Sequence, residues 1–223
     1  MRIELKKRII TSILLFILLI LMSFYTYVLI ASLVIIGIIA WIEFYALISK
    51  IYKKKNYYNI GMRFILKATS LLYLSCVIFI IILSKLNLPD FYILTIYIIL
   101  ISVMTDIGGL TVGKIFKGKK LTKISPNKTI SGSIGSFVFS LFLIPFFFKF
   151  LSAYVNMSFF DIVFITLSIS FISQLGDLFI SLIKRKANVK NTSDLLPGHG
   201  GVLDRIDGII FSIPLGILLF NIF

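Results

Sequence analysis

Four of the nine acidic residues in this sequence, Asp106, Asp177, Asp204 and Asp207, lie inside long apolar stretches or at their ends. A charged carboxylate at the middle of a membrane helix costs about 2.5–3.5 kcal/mol on insertion scales, and less near the ends, so such residues are kept where they bind a cation. Asp177, Ser181 and Lys184 are spaced i, i+4 and i+7 and fall on one face of a helix, with Gln174 one turn earlier. Asp204 and Asp207 are three apart and are expected to share a face, with Arg205 beside them. Two or three carboxylates on adjacent helices, drawn here from Asp177, Asp204 and Asp207, make a hard-oxygen site of the kind Mg²⁺ takes, with room for a second cation. Surrounded by Lys and Arg, such a site suits a polyphosphate, whose charge metal and cations neutralise together.

These residues frame the stretch 181–207, SLIKRKANVKNTSDLLPGHGGVLDRID, which also holds the chain's one histidine, His199. In PGHGG, Gly198, Gly200 and Gly201 permit a tight turn and let backbone N–H groups approach an anion. A helix start follows at once, where the dipole favours phosphate. His199, between glycines and beside the Asp–Arg pairs, is read as part of the site. It does not build a zinc site, since the single cysteine, Cys76, is distant in sequence and there is no second histidine. A second loop, 106–132, is dense in glycine and lysine; it lacks the G-x-x-x-x-G-K-[ST] pattern of a Walker loop but suits phosphate.

The elements that must position these residues are membrane helices. The chain has 223 residues, 59% of them hydrophobic, and a mean hydropathy of +1.05, far above what a soluble core requires. Continuous apolar runs without period-2 alternation predict helices rather than strands. Seven spans are expected, at about 8–23, 27–49, 68–86, 91–112, 132–150, 159–183 and 206–223, each near the roughly 20 residues that cross a bilayer. The net charge of +14 would suggest nucleic acid in a soluble protein. Here the cations gather in alternate gaps between apolar runs, so no nucleic-acid partner is expected; they set topology and attract anionic lipids and phosphates. The N-terminus is then cytoplasmic, the C-terminus outside, and both basic loops face the cytosol. Residues 1–67 form N-terminal helices with a basic loop, and 68–223 the catalytic part of one continuous all-α membrane unit.

The stretch 181–207 resembles the signature of the phosphatidate cytidylyltransferases, S-x-x-K-R followed by Lys and then P-G-H-G-G-hydrophobic-x-D-R-hydrophobic-D. The positions that meet it are Ser181, Lys184, Arg185, Lys190, Pro197, Gly198, His199, Gly200, Gly201, Asp204, Arg205 and Asp207. Gly176-Asp177-Leu178, the RIITS near the start, the Glu43–Phe44 pair, and Ser125, Pro126, Lys128, Thr129 and Gly132 are similar to further family motifs. The resemblance implies a reaction of CTP with phosphatidate giving CDP-diacylglycerol and pyrophosphate. It further implies Asp177 and Asp204 as metal ligands with Asp207 nearby. Ser181, Lys184, Arg185, Lys190 and Arg205 would bind phosphates, and Ser125, Lys128 and Thr129 would close the site from the second loop. A homodimer in a bacterial inner membrane, among membrane lipids, is implied as well. The sequence departs from the family pattern at Leu110, Ser131, Ile180 and Asn191. Two other readings keep the composition: the same chemistry on a polyprenyl or archaeal-type acceptor, including a CTP-dependent kinase, and a non-catalytic protein that gathers anionic lipids.

Overall fold

The computed structural model describes residues 2–54, 56–87, 89–122, 125–126, 128–154, 157–198 and 200–222. The elements in order are α1 (Arg2–Phe24), α2 (Thr26–Ile51), α3 (Tyr57–Asn87), α4 (Pro89–Phe116) and α5 (Ile130–Leu141). Then come α6 (Ile144–Tyr154), α7 (Phe159–Lys186), the single turn α8 (Leu203–Ile206) and α9 (Ile209–Ile222). Among the described residues the only β geometry is two isolated bridges, Lys120 with Thr129 and Leu196 with Gly200. Helix is the form that satisfies every backbone group within one segment, as hydrocarbon requires.

Five helices are long and apolar enough to cross a membrane, or six if the bent pair α5–α6 counts as one span. α1 adds a shorter apolar stretch, Ile13–Phe24. The chain is thus an all-helical, multi-pass membrane protein, with large apolar side chains such as Phe16, Phe79 and Phe164 more than half exposed, as lipid-facing residues are. Each expected span falls on a helix, with two differences. The expected fifth span is broken by a 51° bend between α5 and α6. Pro145 explains it: its ring clashes with the carbonyl four residues back, at Leu141, where α5 ends. The expected last span is present as one stretch, Leu203–Ile222, with a two-residue turn that divides it into α8 and α9. Asp204 lies in α8 and Asp207 in that turn.

The residues group into two compact units. The first comprises Met1–Asn87 and Ile183–Ile206, so that α1, α2 and α3 are joined by the last turn of α7, the signature loop and α8. The boundary expected at residue 67 lies within α3. The second comprises Leu88–Leu182 and Asp207–Phe223. In this second unit α4 and α5 approach with backbones almost touching. A Cβ on Gly108 would lie 2.5 Å from the Gly135 carbonyl, and one on Gly132 would lie 2.7 Å from that of Gly109. Small residues at such a contact let membrane helices gain packing where apolar burial alone gives nothing. Buried hydroxyls then tie the layer together. Ser136 donates to the Thr105 carbonyl at 2.7 Å, Thr105 to Ser170 Oγ on α7 at 2.8 Å, and the Tyr97 and Thr166 hydroxyls meet at 2.6 Å.

Candidate functional site

The signature loop begins where α7 is stopped. Asn188 takes a left-handed conformation with φ 56°. Val189 N–H donates to the Lys184 carbonyl and Asn188 N–H to that of Arg185, both at 3.0 Å. This is a Schellman ending, which satisfies two orphan carbonyls and turns the chain sharply. Asparagine is among the few non-glycine residues that accept this geometry.

From there the loop folds around two carboxylates. Asp204, in α8, receives Lys184 Nζ on Oδ1 at 2.7 Å, and both side chains are largely buried. Its Oδ2 accepts from Thr192 N–H at 2.9 Å, Thr192 Oγ1 at 3.0 Å and Gly201 N–H at 3.1 Å. Glu43, buried in α2, is the second. Its Oε1 accepts from Ser193 Oγ at 2.6 Å and Val202 N–H at 3.0 Å. Its Oε2 accepts from Thr192 Oγ1 and Leu203 N–H, both at 2.8 Å. Val202 and Leu203 lead into α8, where backbone N–H groups have no helical partner, so a carboxylate from another helix supplies what the short turn lacks. The Thr192 hydroxyl stands between both acids and has one proton to give, which serves only one of them at a time.

The glycine turn is explained by this crowding. Gly198 and Gly200 have φ of 78° and 82°, the left-handed region that glycine enters without cost. Gly201 is needed for space: a Cβ there would lie 1.9 Å from Thr192 Oγ1 and 2.5 Å from Glu43 Oε2. Leu196 N–H donates to the Gly200 carbonyl at 2.9 Å and closes the turn. His199 lies outside the described residues. Arg185, Lys190 and Arg205 are exposed around the loop, as is Gly198, while Gly201 is buried.

In the second unit the expected site residues gather at Asp177. Its carboxylate pairs with Lys128, and Ser181 Oγ stands 3.4 Å from Oδ1 one turn along α7. One turn in the other direction, Gln174 accepts on Oε1 from Ser133 of α5. Its Nε2 is buried without a partner among the described residues, a donor left over beside Asp177. Lys128 is carried by a short loop held to itself. Leu121 N–H donates to the Lys128 carbonyl at 2.8 Å, and Ile130 N–H to that of Lys119 at 2.9 Å. A turn from the Ser125 carbonyl to Lys128 N–H, 3.1 Å, presents the lysine. Thr129 is the N-cap of α5, its Oγ1 accepting from Gly132 N–H at 3.1 Å. Ser131 accepts from Gly118 N–H at 3.2 Å. Asp106 is exposed on α4. Asp207 is buried in the turn after α8 and accepts from Gly208 N–H at 2.9 Å.

The structure thus brings Lys128, Asp177 and Ser181 together in one unit, and Lys184, Asp204 and Gly201 in the other. Lys184, expected on phosphate, is placed against Asp204. Among the described residues no group of three or more metal-type side chains forms. Asp177 fits a divalent cation by its chemistry: its side chain is 24% exposed, and the lysine that holds it is on a loop. Asp204 fits less well, since its Oδ2 is filled by three donors. Three contributors escaped the sequence reading as site residues, Glu43, Thr192 and Ser193. The signals for Glu43 were a lone acid in an apolar run and its family-like pair with Phe44; Thr192 and Ser193 had none beyond their place in the signature loop.

A model of the cytidylyltransferase family matches residues 5–223. The chain belongs to the cytidylyltransferase family. It is 42% identical over 120 residues to the phosphatidate cytidylyltransferase of Bacillus subtilis, covering 53% of this chain and 44% of that protein. Against the enzyme of the same name from Staphylococcus haemolyticus it is 40% identical over 120 residues, 53% of this chain and 45% of that one. For Staphylococcus aureus the identity is 42% with the same coverage. The chain spans less than half the length of the curated relatives it matches.

Proposed function

We propose that this protein transfers a cytidylyl group from CTP to phosphatidate, giving CDP-diacylglycerol and pyrophosphate for phospholipid synthesis in a cell membrane. A phosphate oxygen of phosphatidate attacks the α-phosphorus of CTP; the new P–O bond forms as the bond to the β-phosphate oxygen breaks, and pyrophosphate leaves. A phosphate monoester is already a nucleophile, so the protein must supply position and charge rather than a strong base. The observation that carries this reading is the signature loop itself, closed around Asp204 and Glu43 with Arg185, Lys190 and Arg205 exposed on it. Those cations are suited to triphosphate, and the two carboxylates fix the loop that runs among them at Thr192, Gly201, Val202 and Leu203, which limits the reorganisation needed when phosphate binds.

In the other unit, Lys128 and Asp177 form a pair that a magnesium–nucleotide would open, the metal going to the carboxylate and the lysine to phosphate. Gln174 Nε2 and Ser181 Oγ add donors nearby. Mg²⁺ at Asp177 would neutralise phosphate charge; Asp204 is then chiefly the residue that shapes the loop. The same reading keeps seven spans with the N-terminus and both basic loops cytoplasmic, and a homodimer. The test is the purified protein in phosphatidate-containing vesicles with CTP. CDP-diacylglycerol and pyrophosphate in equal amounts, dependent on Mg²⁺, are expected. A panel of other lipid acceptors giving product where phosphatidate gives none would reject it.

A further inference from the structure

A pocket of about 550 Å³ opens between α2 and α3 in the first unit, far along the chain from the signature loop. Its walls include Trp41 and Tyr45 from α2 and Arg63, Phe64, Lys67 and Leu71 from α3. Trp41 is fixed by a hydrogen bond from Nε1 to the Lys67 carbonyl, 3.1 Å. Lys67 Nζ stands 3.2 Å above the centre of the Tyr45 ring. Arg63 and Lys67 are both half-buried. Among the described residues neither has a carboxylate partner, since the ion pairs there are Lys128–Asp177 and Lys184–Asp204. Half-buried charge without a counter-ion is costly, and an anion from outside removes that cost.

The depth of the pocket says which anion. α3 has 31 residues, a rise of roughly 46 Å, well beyond the about 30 Å of a hydrocarbon core. Its uncharged part, 68–84, lies between Lys67 and Lys85 and rises roughly 25 Å, close to that thickness. Lys67 and Arg63 therefore stand at the level of the lipid headgroups, near Lys50 in the last turn of α2 and Lys53 and Lys54 of the α2–α3 loop. Phe64, 74% exposed, lies at the level of the two cations, and below them the pocket wall continues into the exposed apolar side chains of Leu71, 44%, and Leu72, 71%. A phosphate between two cations, next to aromatic rings and above an apolar track, is the outline of a whole phospholipid. We propose that this pocket binds one anionic phospholipid, its phosphate between Arg63 and Lys67 and an acyl chain along Ala68 and Leu71. The site is independent of the transfer reaction proposed above.

Trp41 is the chain's single tryptophan, so its fluorescence reports on this pocket alone. The protein is reconstituted in phosphatidylcholine nanodiscs that carry increasing fractions of chain-brominated lipid, either phosphatidylglycerol or phosphatidylcholine. A juxtaposed basic residue attracts anionic lipid about fivefold, so half-quenching by brominated phosphatidylglycerol is expected at a mole fraction at least about fivefold lower. Arg63→Gln with Lys67→Gln removes that preference while quenching by brominated phosphatidylcholine stays, which shows the variant still folded with Trp41 facing lipid. Inorganic phosphate at millimolar concentration leaves the preference intact. Equal quenching by both lipids overturns the proposal, as does loss of the preference on adding phosphate, which would make the ligand a free anion. Absence of quenching by either lipid also overturns it, since the pocket would then be covered by protein.

Discussion

Glu43→Gln isolates the device that holds the signature loop. The change keeps size and shape, but one of the two oxygens becomes an NH₂ group. Either way round, that NH₂ meets a backbone N–H, from Val202 at 3.0 Å or from Leu203 at 2.8 Å, where an acceptor stood. The hydroxyls of Thr192 and Ser193 can rotate to new partners, and Thr192 already has Asp204 at 3.0 Å. The backbone N–H cannot. A buried donor left unsatisfied costs about 1–3 kcal/mol, and hydrogen bonds to a charged acceptor that become neutral lose about a further 1 kcal/mol. The loop should thus lose about 2–4 kcal/mol of order, a factor of roughly 30 to 1,000 in its opening equilibrium. The assay is amide hydrogen exchange at Val202 and Leu203, read beside the rate of CDP-diacylglycerol formation. Faster exchange by about that factor is expected, with a parallel fall in rate and unchanged exchange in α4 and α5. Glu43→Asp, one methylene shorter, should fall between. Unchanged exchange at both amides in Glu43→Gln would refute the assignment, because these hydrogen bonds would then bear no weight.

Three further outcomes follow from the same geometry. Gly201→Ala places a methyl group 1.9 Å from Thr192 Oγ1 and 2.5 Å from Glu43 Oε2; transferase activity should be lost with helix content by circular dichroism unchanged. Lys184→Met leaves the Asp204 carboxylate, 8% exposed, without its cation; about 3–5 kcal/mol of stability should go, seen as a lower melting temperature in detergent, while Lys184→Arg restores most of it. Lys128→Met and Asp177→Asn, measured singly and together, should be non-additive in activity, since each breaks the same pair; strict additivity would show that the pair has no shared role.

The helices were legible because uncharged runs near bilayer length permit little else, and 68–84 between Lys67 and Lys85 is an example. Their ends were less so. α3 begins at Tyr57, ahead of the expected 68, because Arg63 and Lys67 lower local hydropathy without disfavouring helix. Pro145 carried the signal for the α5–α6 break, but an apolar run conceals a bend. Gly208, two residues into the expected last span, likewise gave little warning that α8 would stop at Ile206. At the site, residue types and local spacing were readable, as Ser181 one turn from Asp177 shows. Long-range partners were not. Nothing in the sequence couples Glu43 to Thr192 and Val202, roughly 150 residues on, or marks Lys184 as the companion of Asp204 rather than of a phosphate. Thr129 was legible in principle, because a threonine before an apolar helical run is a natural cap.

The most direct measurement follows the two products of the transfer. Purified protein in vesicles is given CTP labelled in its α-phosphate, phosphatidate and Mg²⁺, and the lipid and aqueous phases are separated. Label should enter the lipid as CDP-diacylglycerol, matched by pyrophosphate in water, and Asp177→Asn should cut the rate at least about a hundredfold. Label remaining in the aqueous phase with the wild-type protein, across the range of Mg²⁺, would contradict a cytidylyl transfer to lipid.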